Sequence, residues 1–358
     1  MSNEPESNGS AGGLFGSCPL PISAHKEIVL AHGSGGKLTQ QLIQKMVLPQ
    51  FENDLLNPLH DGAMFSLNGA RFAFSTDSFV VNPIFFPGGD IGELAINGTV
   101  NDLAMCGARP LYLSSAFILE EGLPLADLWR VVQSMRQAAQ VAGVSLVTGD
   151  TKVVDRGKGD KIFINTSGLG LIDAGVNIHP GRAQPGDKII INGPIAAHGI
   201  AIMSVREGLE FESEIKSDTA PLNALVQSML ATAPDIHVLR DATRGGITSA
   251  LNEIAGQAGV GIRLQEAHIP IDEAVKGACE ILGLDPLYVA NEGKFVAFVR
   301  PEDSELVLSV MRKHPLGQKA AIIGEVVAEH PGCVTMKTRV GGNRVVDMFS
   351  GEQLPRIC

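Results

Sequence analysis

Cys358 is the last residue of the chain, and a thiol there can do chemistry that a core thiol cannot. Nothing downstream holds it in place, so it can reach outward as a nucleophile or as a carrier. It is not a prenylation site, which needs the cysteine fourth from the end. Its own carboxylate discourages the thiolate, whereas Arg356 favours it. Taken alone, Pro355-Arg356-Ile357-Cys358 also reads as a frayed terminus that happens to end in cysteine. The other cysteines, Cys18, Cys106, Cys279 and Cys333, form no C-x-x-C pair, and no His pair has zinc-finger spacing. Unpaired thiols in odd number fit a reducing compartment. Cys106 and Cys279 lie in apolar helical stretches and read as core thiols.

A second set of chemistry-bearing residues stands at the ends of apolar stretches. The strand-like Phe72–Thr76 delivers Asp77, and a helical stretch from about Asp90 carries Asn97, Asn101 and Asp102. The buried-strand pattern Val144–Thr148 ends in Gly149-Asp150-Thr151-Lys152, and Asp61 precedes Gly62-Ala63. One such carboxylate is an ordinary cap or turn former. Several beside a glycine-rich loop are what a hard cation with phosphate ligands needs, since Mg²⁺ bridges carboxylates to phosphate oxygens. The loop is His32-Gly33-Ser34-Gly35-Gly36-Lys37. It fails the Walker and Rossmann patterns at Leu38. It remains either a tight turn into a helix or a backbone approach to an anion. Arg240-Asp241-Ala242-Thr243-Arg244-Gly245-Gly246 opens another helix, as an anion site or as a capped turn tied by salt bridges.

The elements that must position these groups come from a chain of 358 residues, long enough for two cores. Hydrophobic residues make up 44% and charged ones 19%, a globular balance, and the net charge of −11 without basic clusters argues against nucleic acid or an anionic membrane as partner. No leader and no apolar run of membrane-spanning length is visible, so a soluble, cytoplasmic protein is expected. Residues 1–24 are polar and Gly/Pro-rich and read as a disordered extension. Order begins near Lys26, with Glu27–Ala31 as a short strand. Strands and helices then mix without strict alternation, which predicts an α+β class. A turn cluster at His179–Asp187 marks a boundary. The expected units are 25–180, 181–345 and a flexible tail, 346–358. Glu292, in Asn291-Glu292-Gly293-Lys294, falls where two strands meet in a tight turn.

Together these blocks resemble the HypE family of hydrogenase maturation proteins, within the larger PurM-like group of ATP-using enzymes. The similarity is carried by Ala31–Gly36, Ser75–Val81, Phe86–Gly89, Asn101–Ala104, Phe117–Gly122, Thr148–Val154, Arg240–Gly246, Asn291–Lys294 and the tail Pro355–Cys358. The aspartate blocks are shared across the group, and the terminal cysteine is particular to HypE. The resemblance implies two PurM-like α+β domains, a homodimer whose interface helps form the nucleotide site, and ATP with Mg²⁺ as cofactors. It implies that a carbamoyltransferase, HypF, loads Cys358 with a carbamoyl group. ATP-dependent dehydration then gives a thiocyanate, whose cyanide passes to iron on a HypC–HypD scaffold for a nickel–iron hydrogenase.

By the same resemblance Asp77, Asp102 and Asp150 hold Mg²⁺ on the triphosphate, with Asp61 as an extra ligand. Gly33, Ser34, Gly35 and Gly36 close over the nucleotide, with Asn101 and Gly149 beside it. Lys152 stabilises developing charge, and Glu292 is the base for the carbamoyl nitrogen. His60 replaces an acidic residue found in many relatives, which leaves the metal count open. The alternatives are another PurM-like ATP enzyme, such as a selenophosphate synthetase, and a non-catalytic thiol carrier switched by nucleotide. The first would be expected to carry a reactive cysteine near the glycine-rich loop, and residues 26–40 have none.

Overall fold

Asn68 and Gly69 both take positive φ, 51° and 81°, as a two-residue hairpin turn requires. They join β1 (Ala63–Leu67) to β2 (Ala70–Phe79). This computed structural model describes residues 27–209, 214–351, 354 and 356–358. The extension expected over 1–24, and Pro355, lie outside the described residues. A minor hairpin, β3 (Phe85–Phe86) with β4 (Gly89–Asp90), ends in the Asp90 carboxylate, which accepts from Gly92 N at 2.7 Å and caps α1 (Ile91–Met105). Then come β5 (Ala108–Glu120), α2 (Leu125–Ala142), β6 (Ser145–Val154) and β7 (Ile162–Ile172). The sheet runs β1-β2-β7-β5-β6, antiparallel except for the β5–β6 pair.

The second half contains β8 (Lys188–Ile191), α3 (Ala197–Arg206), α4 (Asn223–Thr232), β9 (Val238–Asp241), α5 (Gly246–Ala258), β10 (Gly261–Gln265), α6 (Glu273–Leu282), β11 (Phe295–Val299), α7 (Pro301–Lys313), β12 (Ala321–Val327), β13 (Val334–Lys337) and β14 (Asn343–Val345). Its sheet order is β14-β13-β10-β12-β8-β11-β9. β8 and β11 read as unbroken apolar runs because both faces of this sheet are covered. Ile190, Phe295 and Ala297 face one core, and Ile189, Ile191, Val296 and Phe298 the other.

The first of those cores crosses the boundary between the halves. It joins Phe79, Leu94 and Leu103 to Leu222, Leu239, Phe295 and Ile357. At its centre α1 is buried nearly all round, with only Glu93 and Asp102 escaping full burial. A helix without a polar face must lie between two layers. Its Asn101 supplies the polar link: Nδ2 donates to Ala220 O (3.1 Å) and Glu292 O (3.3 Å), and Oδ1 accepts from Leu222 N (2.8 Å).

One local expectation is corrected. Glu27–Ala31 is not a strand; Leu30–Gly33 is a 3₁₀ turn, with the His32 ring folded back to 3.1 Å from Val29 N. α4 starts at Asn223, and the Asp218 carboxylate before it is taken by Glu292 N and Lys294. Within the tail, Val346, Met348 and Ile357 are buried.

Asn101→Ala would leave Leu222 N and two carbonyls without their partner in a buried seam. It should lower stability by about 1–3 kcal/mol, read by denaturant melts, with the mixed α+β circular dichroism retained. An unchanged midpoint would show that water replaces the amide.

Candidate active site

Asp61, Asp77, Asp102 and Asp241 reach one site from four different elements. Asp61 precedes β1, Asp77 lies on β2, Asp102 on α1 and Asp241 ends β9. One oxygen from each of Asp61, Asp102 and Asp241 lies within 4.8 Å of the others. Ser75 donates to Asp102 at 2.6 Å. Arg240 spans Asp61 and Glu253, at 2.6 Å each. Burial first, then mutual repulsion, pushes the carboxyls of Asp61 and Asp102 well above the usual range. Asp241 is pushed up to about 6, with burial the main cause and Arg240 opposing it. Oδ2 of Asp61 is buried without a hydrogen-bond partner among the described residues. Carboxylates this close, with unsatisfied oxygens, fit a hard divalent cation, which would relieve both the repulsion and the orphaned acceptor.

Asp241 was missed as a ligand by reading its segment for its arginines. The signal was present: it ends an apolar strand, as Asp77 follows one. Asp77 is raised by burial, opposed by Arg244, and accepts from its own neighbour Ser78 N at 2.8 Å. His60 is buried and its ring is pushed down to about 3, chiefly by burial and then by Arg240. Its Nδ1 accepts from Asp61 N at 2.7 Å, so the proton sits on Nε2, which has no partner among the described residues. The position therefore offers a polar, uncharged ring to the aspartate cluster.

Other expected site residues are not brought to this cluster. Asp150 and Lys152 lie exposed on the edge strand β6, 2.8 Å from each other. The ammonium, bonded first, then the Thr151 N–H, holds the Asp150 carboxyl below its usual range. Among the described residues β6 pairs with β5 alone, and its side chains from Ser145 to Val153 are exposed. Gly149 is there for strand approach, since a Cβ would meet Ser115 O at 2.3 Å. Asn101 has spent its amide on the seam described above.

The glycine-rich loop is likewise bonded to protein. A Cβ on Gly35 (φ +76°) would meet Arg244 O at 2.8 Å, and one on Gly36 would meet Phe349 O at 2.5 Å. Ser34 Oγ donates to Gly351 O (3.1 Å), Lys37 N to Phe349 O (2.9 Å) and Ser249 Oγ to Gly35 O (2.9 Å). So the loop roofs the site. Gly35 borders both a 390 Å³ cavity lined by the four aspartates and a neighbouring 530 Å³ cavity that reaches Asn252 and Gln257.

Val80 N donates to Cys358 O (3.0 Å) and Asn82 N to Arg356 O (3.3 Å), so the last residues extend along the chain that leaves β2. Arg356 bonds Asp160 at 2.8 Å instead of serving the thiol. The cation facing Cys358 is Arg244. The thiol, half-buried, is pushed well above its ordinary value, first by burial and then by the charge of the nearby Glu292 carboxyl, while Arg244 opposes. Glu292 is itself 4% exposed and its Oε1 has no partner among the described residues. Burial, then Asp77 and Asp241, raise its carboxyl well above the usual range. Asp77 and Arg244 line the carboxylate-walled cavity and act on both the thiol and the Glu292 carboxyl, so these two groups stand beside that cavity.

Residues 59–172 match the family described as AIR synthase related protein, N-terminal domain, and residues 184–337 match its C-terminal domain. The chain is 54% identical over 341 residues to the carbamoyl dehydratase HypE of Cupriavidus necator, which covers 95% of this chain and 97% of that protein. The chain belongs to the HypE family. Among solved structures, one of a HypE–HypF complex superposes with a TM-score of 0.82 at 48% identity, covering 86% of this chain and 99% of that one. A HypE in complex with ATP does so with a TM-score of 0.79 at 50% identity, covering 93% and 100%.

Asp241→Asn removes one of the three clustered carboxylates. Mg²⁺ affinity should fall by about tenfold or more, equivalent to at least about 1.4 kcal/mol, read from Mg²⁺-dependent protection against thermal unfolding. Unaltered protection would remove Asp241 from the cation site.

Proposed function

We propose that this protein dehydrates an S-carbamoyl group on its own Cys358 to a thiocyanate at the expense of ATP, supplying cyanide for a nickel–iron hydrogenase. The observation that carries this reading is the meeting of Cys358 with Glu292 beside the aspartate-lined cavity. A carbamoyl oxygen is a poor leaving group until it is esterified to phosphate. In the proposed course that oxygen attacks the γ-phosphorus of ATP, ADP departs, and one N–H proton is lost as the C=N bond forms. The second N–H proton is lost as the C–O bond breaks, and phosphate leaves with its electron pair. The products are the S-cyano group, ADP, phosphate and a net proton. Glu292 takes an N–H proton, since burial makes its carboxylate more basic than a solvated one.

Asp61, Asp102 and Asp241, with Asp77, are the residues that would hold Mg²⁺, which neutralises phosphate charge when bound. Arg244, between Asp77 and the thiol, faces the phosphate that forms. The parting of Asp150 and Lys152 from the cluster is accounted for by a homodimer in which the edge strand β6 faces the partner copy. Leu146, Val147 and Val153 give that edge exposed apolar surface. The HypE–HypF complex among similar structures supports HypF as the donor of the carbamoyl group. Transfer onward to a HypC–HypD iron scaffold completes the sequence.

Intact mass of the carbamoyl-loaded protein after addition of ATP and Mg²⁺ should fall by the mass of one water, with ADP and phosphate released. An unchanged adduct would instead favour a thiol carrier that nucleotide only repositions. Glu292→Gln should load normally and remain carbamoylated, and normal thiocyanate formation would exclude Glu292 as the base. Cys358→Ala should abolish loading and leave ATP binding within about twofold, a change of less than about 0.5 kcal/mol. Persistent loading elsewhere would overturn the tail assignment.

A further inference from the structure

The proton and phosphate chemistry leaves the grip on the tail unexplained. Ile357, the residue before the thiol, is 3% exposed, and its carbonyl lies 2.8 Å from Nε2 of His198. His198 sits in the first turn of α3 and has no exposed surface. Its Nδ1 is 2.8 Å from Ser217 Oγ, and Phe86 stands edge-on to the ring, 5.6 Å between centroids at 87°. A carbonyl only accepts, so the ring proton is on Nε2, and Nδ1 accepts the Ser217 hydroxyl. Thr219 N donates to the same Ser217 oxygen at 3.1 Å, which leaves the hydroxyl proton free to face the ring. Burial lowers the ring's pKa and so preserves this neutral tautomer, with Asp218 opposing. At the other end of α3, Arg206 donates to the carbonyls of Asn82 and Arg356. One helix therefore holds the tail and the strand it runs along.

We infer that His198 is a positioning residue, which acts through the Ile357 carbonyl to hold the Cys358 sulfur, and any group carried on it, against Glu292. His198 does not line the aspartate cavity, so its effect falls on the tail and not on nucleotide. Its bond exists only with the tail inward, and a fixed imidazole donor cannot follow the tail out. Without it the thiol stays tethered but loses its register one residue from the reacting atom.

The catalytic half of this inference rests on the dehydratase reading, and the docking half does not. Nucleotide-free, full-length protein is treated with iodoacetamide, and alkylation of Cys358 is followed by mass spectrometry, with exposed Cys333 as internal reference. His198→Ala should speed alkylation of Cys358 about tenfold relative to Cys333, the equivalent of one net hydrogen bond. His198→Gln, whose amide N–H can donate to the same carbonyl, should fall between the two. Equal rates in wild type and His198→Ala would overturn the clamp whatever reaction the site performs. In single turnovers of carbamoylated protein, His198→Ala should slow thiocyanate formation about tenfold at saturating ATP. The ATP concentration for half-maximal rate should not change, and glutamine should restore part of the rate. A parallel loss of loading, ATP response and dehydration, with no rescue by glutamine, would reduce His198 to a structural residue and overturn the inference. If wild type forms no thiocyanate, the dehydratase reading fails, and the alkylation rates alone decide the clamp.

Discussion

Three carboxylates within 4.8 Å of one another in a buried wall are the constraint on which this structure turns. Such a group resists ionisation in low dielectric, and the arginines that face it are already engaged. Arg240 is bound to Asp61 and Glu253, and Arg244 divides its charge between Asp77 and the thiol. Both arginines and Asp241 come from the end of β9 and the turn that joins it to α5. The second half thus supplies Asp241 and both of these arginines to a cluster whose other aspartates belong to the first half. Only a shared core can hold that arrangement in register, which accounts for α1 being buried on nearly every side.

The same low dielectric that strains the aspartates makes the Glu292–Cys358 pair useful. In water a glutamate is too weak a base for an amide-like N–H and a thiol is partly ionised near neutrality. Here both carboxyl and thiol are pushed up, chiefly by burial. The resting thiol is protonated and quiet beside a carboxylate that burial makes more basic than one in water. Loading replaces the thiol proton by a carbamoyl group, whose N–H groups then face Glu292. A docked tail is therefore also a protected one.

The α+β class, the mixed order of elements and the start of α1 near Asp90 were legible, because apolar periodicity and turn residues report local structure. Asp61, Asp77 and Asp102 were legible as strand-end or helix carboxylates, but which of them converge was not, since convergence is set by sheet register and the packing of α1. Asp241 was hidden by its arginine neighbours, and His198 by an apolar helix start that gives no sign of a partner 159 residues away. Asp150 and Lys152 had the right residue types, yet an edge strand leaves them outside a single chain's site. The seat that the tail docks into was not legible. Terminal mobility is the default, but Ile357 is apolar and fills a core position, and the carbonyls beside it find donors.

That docking must still be reversible if a partner is to reach the sulfur. Val80, Asn82, His198 and Arg206 donate to tail carbonyls, and Arg356 pairs with Asp160. Five such contacts contribute about 1 kcal/mol each, and burying Ile357 adds about 2 kcal/mol. Ordering three backbone residues costs about 1–2 kcal/mol apiece, and their side chains roughly 2–3 kcal/mol more. The sum is near balance, within a few kcal/mol. A tail held by a long, fully paired strand would not come out, and one without the His198 and Arg206 grip would not stay. Holding the main chain at three short points lets the same thiol be enclosed for dehydration and released for exchange, and the glycine-rich loop reaches the start of the tail through its bonds to Phe349 and Gly351.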